Sequence, residues 1–132
     1  MVIDTSAIIA ILNNVPERRL FHEAIEHADT CLMSTASFVE ASLVIESSRG
    51  YDGLRDFDLL LARAVIELAP VDAEQARLAR EAFRRYGKGR HPAALNFGDC
   101  FSYALSKATG LPLLFKGDDF ARTDIEAAVS FT

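Results

Sequence analysis

The stretch Leu95–Phe120, LNFGDCFSYALSKATGLPLLFKGDDF, decides the fold. Its first part has the apolar spacing of a helix, and Gly110 ends it. The short apolar run LPLLF follows, reads as a buried strand, and delivers the chain to two acids in succession, Asp118 and Asp119. A helix that returns directly to a buried strand is the building unit of a parallel sheet covered by helices.

The amino end has the same grammar. MVIDTSAIIAIL (Met1–Leu12) is a short buried strand that ends in Asp4 and leads into a helix with Thr5 or Ser6 as its cap. Between these ends the spacing predicts a helix from Pro16 to about Ala28, because proline is tolerated in a first turn. The strand TCLMS comes next, followed by the helix TASFVEASLVIESSRG, which Gly50 stops, and another helix from Gly53 to Glu67. LAPV reads as a third strand. Asp72 caps a helix that ends at the glycines of GKG, and the tail EAAVSF is expected to be an edge strand. The expectation is one α/β domain over residues 1–132, with a mostly parallel four- or five-stranded sheet flanked by helices on both faces.

A chain of 132 residues, half of them hydrophobic, is long enough for a core of its own. The net charge of −5 argues against a general polyanion binder, which shows a basic surplus, without excluding a nucleic-acid substrate. Cys31 and Cys100 have no metal-type spacing and read as buried reduced thiols. With neither a signal segment nor a stretch of membrane-spanning length, a cytoplasmic protein is expected.

The acids carry the chemistry. Functional groups of an open parallel sheet gather beyond the carboxyl ends of its strands, where Asp4 and the Asp118–Asp119 pair stand. Glu40 and Asp99 lie early in otherwise apolar helices. Burying an ionised carboxylate without a partner is costly, and helix capping explains such acids one at a time better than it explains four together. Oxygen ligands without histidine or cysteine select Mg²⁺ or Mn²⁺. Crowded carboxylates also repel, so at least one pKa is expected to rise in the absence of metal.

MVIDTSAIIAIL, STASFVEASLVIE and GKGRHPAALNFGDCFSYALSKATGLPLLFKGDDFARTDI resemble the motifs of PIN-domain ribonucleases of the VapC toxin type. The likeness spans nearly the whole chain, and four short motifs in order make a specific signal. The resemblance implies a type II toxin–antitoxin toxin, an endoribonuclease with an α/β/α fold whose acids bind Mg²⁺ or Mn²⁺. Carried over by position, it implies Asp4, Glu40, Asp99 and Asp119 as catalytic acids. Asp119 is preferred to Asp118 because it precedes Phe120, and Asp124 reads as a local turn or cap residue. Asp4 and Asp99 would hold the metal directly, while Glu40 and Asp119 act through water. A VapB-type antitoxin, RNA, and assembly as a homodimer or toxin–antitoxin hetero-oligomer are implied as partners. The antitoxin groove or dimer face is expected on the helices near Phe38–Ile45 and Leu54–Val65.

For RNA, the basic stretch RRYGKGRH offers Lys88 and Arg90, with Lys116 after the last strand; Thr5 and Ser6 are further substrate candidates, although capping is their simpler role. Tyr86 reads as a core edge, and no histidine flanks a nucleophile in a triad pattern. Two other classes compete. One is a PIN-like binding domain without catalysis. The other is a phospho-accepting signalling domain, which fits poorly because Asp4 has no acidic neighbour and the acceptor strand would end at Asp72 before a plain helix.

Overall fold

A computed structural model describes residues 1–130. Four strands, Val2–Ile3 (β1), Cys31–Ser34 (β2), Ile66–Ala69 (β3) and Leu113–Leu114 (β4), form an all-parallel sheet in the order β3-β2-β1-β4. The helices are Thr5–Leu12 (α1), Arg18–His27 (α2), Thr35–Arg63 (α3), Ala73–Tyr86 (α4) and Phe97–Thr109 (α5), with a 3₁₀ turn at Phe120–Arg122.

Strand residues alternate between two cores because successive side chains leave opposite faces of a strand. Ile3, Met33 and Leu114 pack with α1, α2 and α3, whereas Val2, Leu113 and Phe115 pack with α4 and α5. Helices therefore cover both faces, as expected. The chain winds outward through β1, β2 and β3 and then crosses back to place β4 on the other side of β1. That reversal opens a crevice at the carboxyl ends of β1 and β4. The backbone N–H of Asp4 donates to Leu114 O at 2.9 Å and locks the two ends side by side.

Several expectations are corrected. Asp4 itself caps α1, and Thr5 and Ser6 fall in its first turn. Pro16 sits in a turn closed by Arg18 N–H on Val15 O at 3.0 Å, and α2 begins only at Arg18. The third strand is Ile66–Ala69, two residues earlier than LAPV, because Pro70 has no N–H to offer the ladder. The helix expected to reach Glu67 ends at Arg63. The two helices expected on either side of Gly50 form one run, α3, broken at that glycine by φ 64°, a value that its missing Cβ permits.

The tail pairs with β4 at a single bridge between Leu113 and Ala127, so the sheet has four strands; Phe131 of the expected edge strand lies outside the described residues. Asp124 is a tertiary anchor rather than a local cap, paired with Lys107 at 2.8 Å and accepting from the Tyr103 hydroxyl at 2.8 Å. Among the described residues no helix is long and apolar enough to cross a membrane.

Candidate active site

Asp4 leaves the buried strand β1 and turns into α1, so its side chain is only 2% exposed. Its Oδ2 accepts from the Ser6 backbone N–H at 3.0 Å and from the Ser6 hydroxyl at 2.6 Å, while Oδ1 accepts from the Ser102 hydroxyl at 2.5 Å. The capping role expected of a lone acid is present, but it uses only Oδ2 of the carboxylate. Ser6 Oγ also accepts from the Lys116 backbone N–H at 3.0 Å and so ties the end of β4 to Asp4.

Asp99 stands in the first turn of α5 inside a capping box: its backbone N–H donates to Asn96 Oδ1 at 2.9 Å, and its Oδ2 accepts from the Asn96 N–H at 3.0 Å. Its other oxygen accepts no hydrogen bond from the described residues. Burial pushes the Asp99 carboxyl up to about 7; the Asn96 bond opposes the rise, and the charges of Asp4, Glu40 and Asp119 add to it. Glu40, one turn into α3, is likewise raised, by burial first and by Asp4 to a lesser degree, against the nearby Thr5 hydroxyl. Its carboxylate lies directly against Gly98, where a Cβ would collide with it.

These acids meet in an open crevice of about 580 Å³. Asp4, Thr5, Ser6, Glu40, Asn96, Asp99 and Lys116 line it together. A larger groove of about 790 Å³ runs along α2 and the second part of α3, where Arg18, Arg49 and Arg63 share the lining with the acids and Arg49 pairs with Asp56 at 3.0 Å. In the acidic crevice Lys116 is the one cationic side chain among the described lining residues, and its ammonium points to Glu17 at 3.9 Å.

Asp119 and Asp118 are exposed and outside the lining, yet Asp119 is near enough for its charge to reach Asp99. Lys88 and Arg90 are not brought into the crevice: they sit on the turn that joins Gly87 to Leu95, with the Arg90 guanidinium 5.5 Å over the Phe83 ring. Tyr86 is a buried core edge against Tyr103 and His91. Asp72 caps α4 by accepting from Gln75 N–H at 2.8 Å, which leaves no acceptor aspartate at the end of β3 for a signalling domain. Both cysteines are buried and free.

Sequence reasoning missed Ser37, Ser102 and Gly98. Two of the three had a helical signal, since Ser37 lies one turn before Glu40 and Ser102 one turn after Asp99, on shared faces. Nothing in the sequence announces that Gly98 makes room for Glu40.

Residues 1–126 match the PIN domain family. Ribonuclease VapC30 of Mycobacterium tuberculosis is 56% identical over 125 residues, covering 95% of each chain. Ribonuclease VapC of Mycolicibacterium smegmatis is 56% identical over 127 residues, 96% of this chain and 98% of its own. The chain belongs to the VapC family of PIN-domain ribonucleases. Solved structures agree on the fold. Mycobacterium tuberculosis VapC20, a sarcin–ricin loop cleaving toxin, matches with TM-score 0.75 at 16% identity over 94% of this chain and 95% of that one. VapBC2 of Rickettsia felis, bound to a fragment of promoter DNA, matches with TM-score 0.70 at 14% identity over 96% and 94%.

For this VapC-family chain the donor set suits a hard divalent cation. No three acids among the described residues stand close enough to cage a metal by themselves. Mg²⁺ asks less, because it keeps several waters and takes one or two protein carboxylates. Asp4 and Asp99, the second with an oxygen free of chain donors and a charge the chain does not balance, fit that requirement.

Proposed function

We propose that this protein is the toxin of a type II toxin–antitoxin pair, an endoribonuclease that hydrolyses RNA phosphodiester bonds in the Asp4–Glu40–Asp99 crevice with Mg²⁺ or Mn²⁺. The observation that carries this reading is the meeting of acids from three separate elements, with Asp99 pushed up to about 7. Asp4 and Asp99 hold the ion. When bound, it acidifies water and neutralises charge on the phosphate oxygens. Glu40, half-buried and raised in pKa, takes a proton from the attacking water, whose oxygen forms the new P–O bond; the leaving oxygen departs with the electron pair of the broken P–O bond and is protonated from solvent. Asp119 orients water from the rim.

Ser6 spends its proton on Asp4, so it shapes the site rather than grips substrate. Thr5 likewise donates to Ser37 O at 3.2 Å. Lys116 takes a phosphate on leaving Glu17, and Lys88 and Arg90 serve an outer stretch of RNA. The partner is a VapB-type antitoxin in the cytoplasm. Exposed Val39, Leu43 and Val44, at 54, 61 and 46%, support a protein-covered face on α3 for that antitoxin or a second copy.

The test is incubation of antitoxin-free protein with total RNA and Mg²⁺ or Mn²⁺, mapping new ends by sequencing. Discrete ends that vanish with chelator and in Asp99→Asn are expected. Ends unchanged in both controls would refute the metal-site reading, and no ends at all would favour a binding domain without catalysis.

A further inference from the structure

Asp4 is held from behind by hydroxyls that no water reaches. Ser102 and Ser37 are both 0% exposed, and their hydroxyl oxygens are 3.1 Å apart. Proton counting fixes the direction of this pair. An ionised carboxylate only accepts, so the 2.5 Å contact from Ser102 Oγ to Asp4 Oδ1 uses the single proton of Ser102. Ser102 must then accept at its 3.1 Å contact, which makes Ser37 the donor. Both hydroxyl dipoles therefore point in series toward Asp4 and reinforce each other away from water.

The relay also joins the right elements. Ser37 lies one turn before Glu40 in α3, Ser102 lies one turn after Asp99 in α5, and the Thr5 hydroxyl of α1 closes on Ser37 O at 3.2 Å. Three helices, each carrying or following one crevice acid, are thus pinned to each other at atoms no more than about one helical turn from those acids.

We infer that Ser102 is a positioning residue for the acidic site, aimed by Ser37, and that this buried hydroxyl relay fixes the orientation of Asp4 and the spacing of Asp4, Glu40 and Asp99. The inference rests on the metal-site reading above. A purely structural role would stabilise the fold without changing how the crevice takes a cation, so the discriminating readout is metal affinity.

Mn²⁺ is titrated into wild type, Ser102→Ala, Ser37→Ala, the double variant and Asp4→Asn, with free Mn²⁺ followed by electron paramagnetic resonance and folding checked by thermal unfolding. Ser102→Ala is expected to weaken Mn²⁺ binding roughly tenfold or more, in the range seen for groups that orient metal ligands. Ser37→Ala should weaken it less, and the double variant no more than Ser102→Ala, because Ser37 acts through Ser102. Wild-type affinity in folded Ser102→Ala, with Asp4→Asn impaired, would overturn this inference alone. Should Ser102→Ala fail to fold, wild-type affinity in Ser37→Ala overturns it equally. Wild type that binds Mn²⁺ no better than Asp4→Asn would overturn the metal-site reading and the relay with it.

Discussion

Two aspartates at opposite ends of the α5 neighbourhood meet opposite fates. Asp99, in the first turn, has Asp4, Glu40 and Asp119 for electrostatic company, and burial with those charges drives its carboxyl up to about 7. Burial acts on Asp124 too, but Lys107, Tyr103 and Arg85 outweigh it and hold that carboxyl below its usual range. The same side chain is therefore an anchor in one place and an unbalanced charge in the other. The difference teaches where the chain completes its own electrostatics and where it leaves them for something else to complete.

The comparison breaks first at Asp99. Removing its charge by Asp99→Asn keeps the amide oxygen available to the Asn96 N–H, and is expected to cut RNA cleavage at least ~10²-fold, measured as initial rate on a mapped substrate. Asp124→Asn should leave that rate unchanged, since its carboxylate serves Tyr103 and Lys107 and does not line the crevice. Equal losses in the two variants would erase the distinction.

Gly98→Ala sharpens it by steric means. A Cβ there collides with the Glu40 carboxylate, so Glu40 must move away from α5. A loss of cleavage of roughly 10- to 100-fold is expected, with little change in stability, because the displaced atoms are the far end of a flexible side chain beside an open crevice. Unchanged rates would show that Glu40 has no need of its seat.

Opposite shifts also give opposite pH dependences of stability. With Asp99 raised in the fold, the folded state binds more protons than the unfolded between about pH 4 and 7. Metal-free stability should fall as pH rises through that window, by about 1–2 kcal/mol once solvent screening of this part-exposed group is allowed for. Asp99→Asn should flatten the slope. Asp124, lowered, contributes stability that is present above the ordinary aspartate pKa and lost as pH falls through its folded value. Asp124→Asn should therefore cost about 1 kcal/mol or less at neutral pH and nothing in strong acid, read from denaturant midpoints.

Much of this contrast was legible in the sequence, for a physical reason. Asp4, Glu40 and Asp99 interrupt apolar runs, and an acid in an apolar element must meet a compensating group or a function. The parallel fold followed from buried runs alternating with amphipathic helices, and strand ends pointed to the crevice. The errors have causes as specific. LAPV looked like a strand by hydrophobicity, but the edge position of β3 left Glu67 and Leu68 exposed and Pro70 ended the ladder. Asp124 looked local because its partners, Lys107 and Arg85, are distant in sequence. Lys88 and Arg90 were legible as a basic stretch just ahead of α5, but their place outside the crevice lining depends on the turn onto Leu95, which the sequence does not display. Ser102 reaches Asp4 across 98 residues, a contact that only the folded chain reveals.

The most direct test is a carbon-13 NMR titration of the aspartate carboxyls with and without Mg²⁺, with Asp124 as the internal reference. The account predicts that Asp99 titrates near 7 in metal-free protein, that saturating Mg²⁺ draws it well down, and that Asp124 stays low in both. An Asp99 that titrates near an ordinary 4 without metal, or near 7 with and without it, would contradict the claim that a divalent cation completes this crevice.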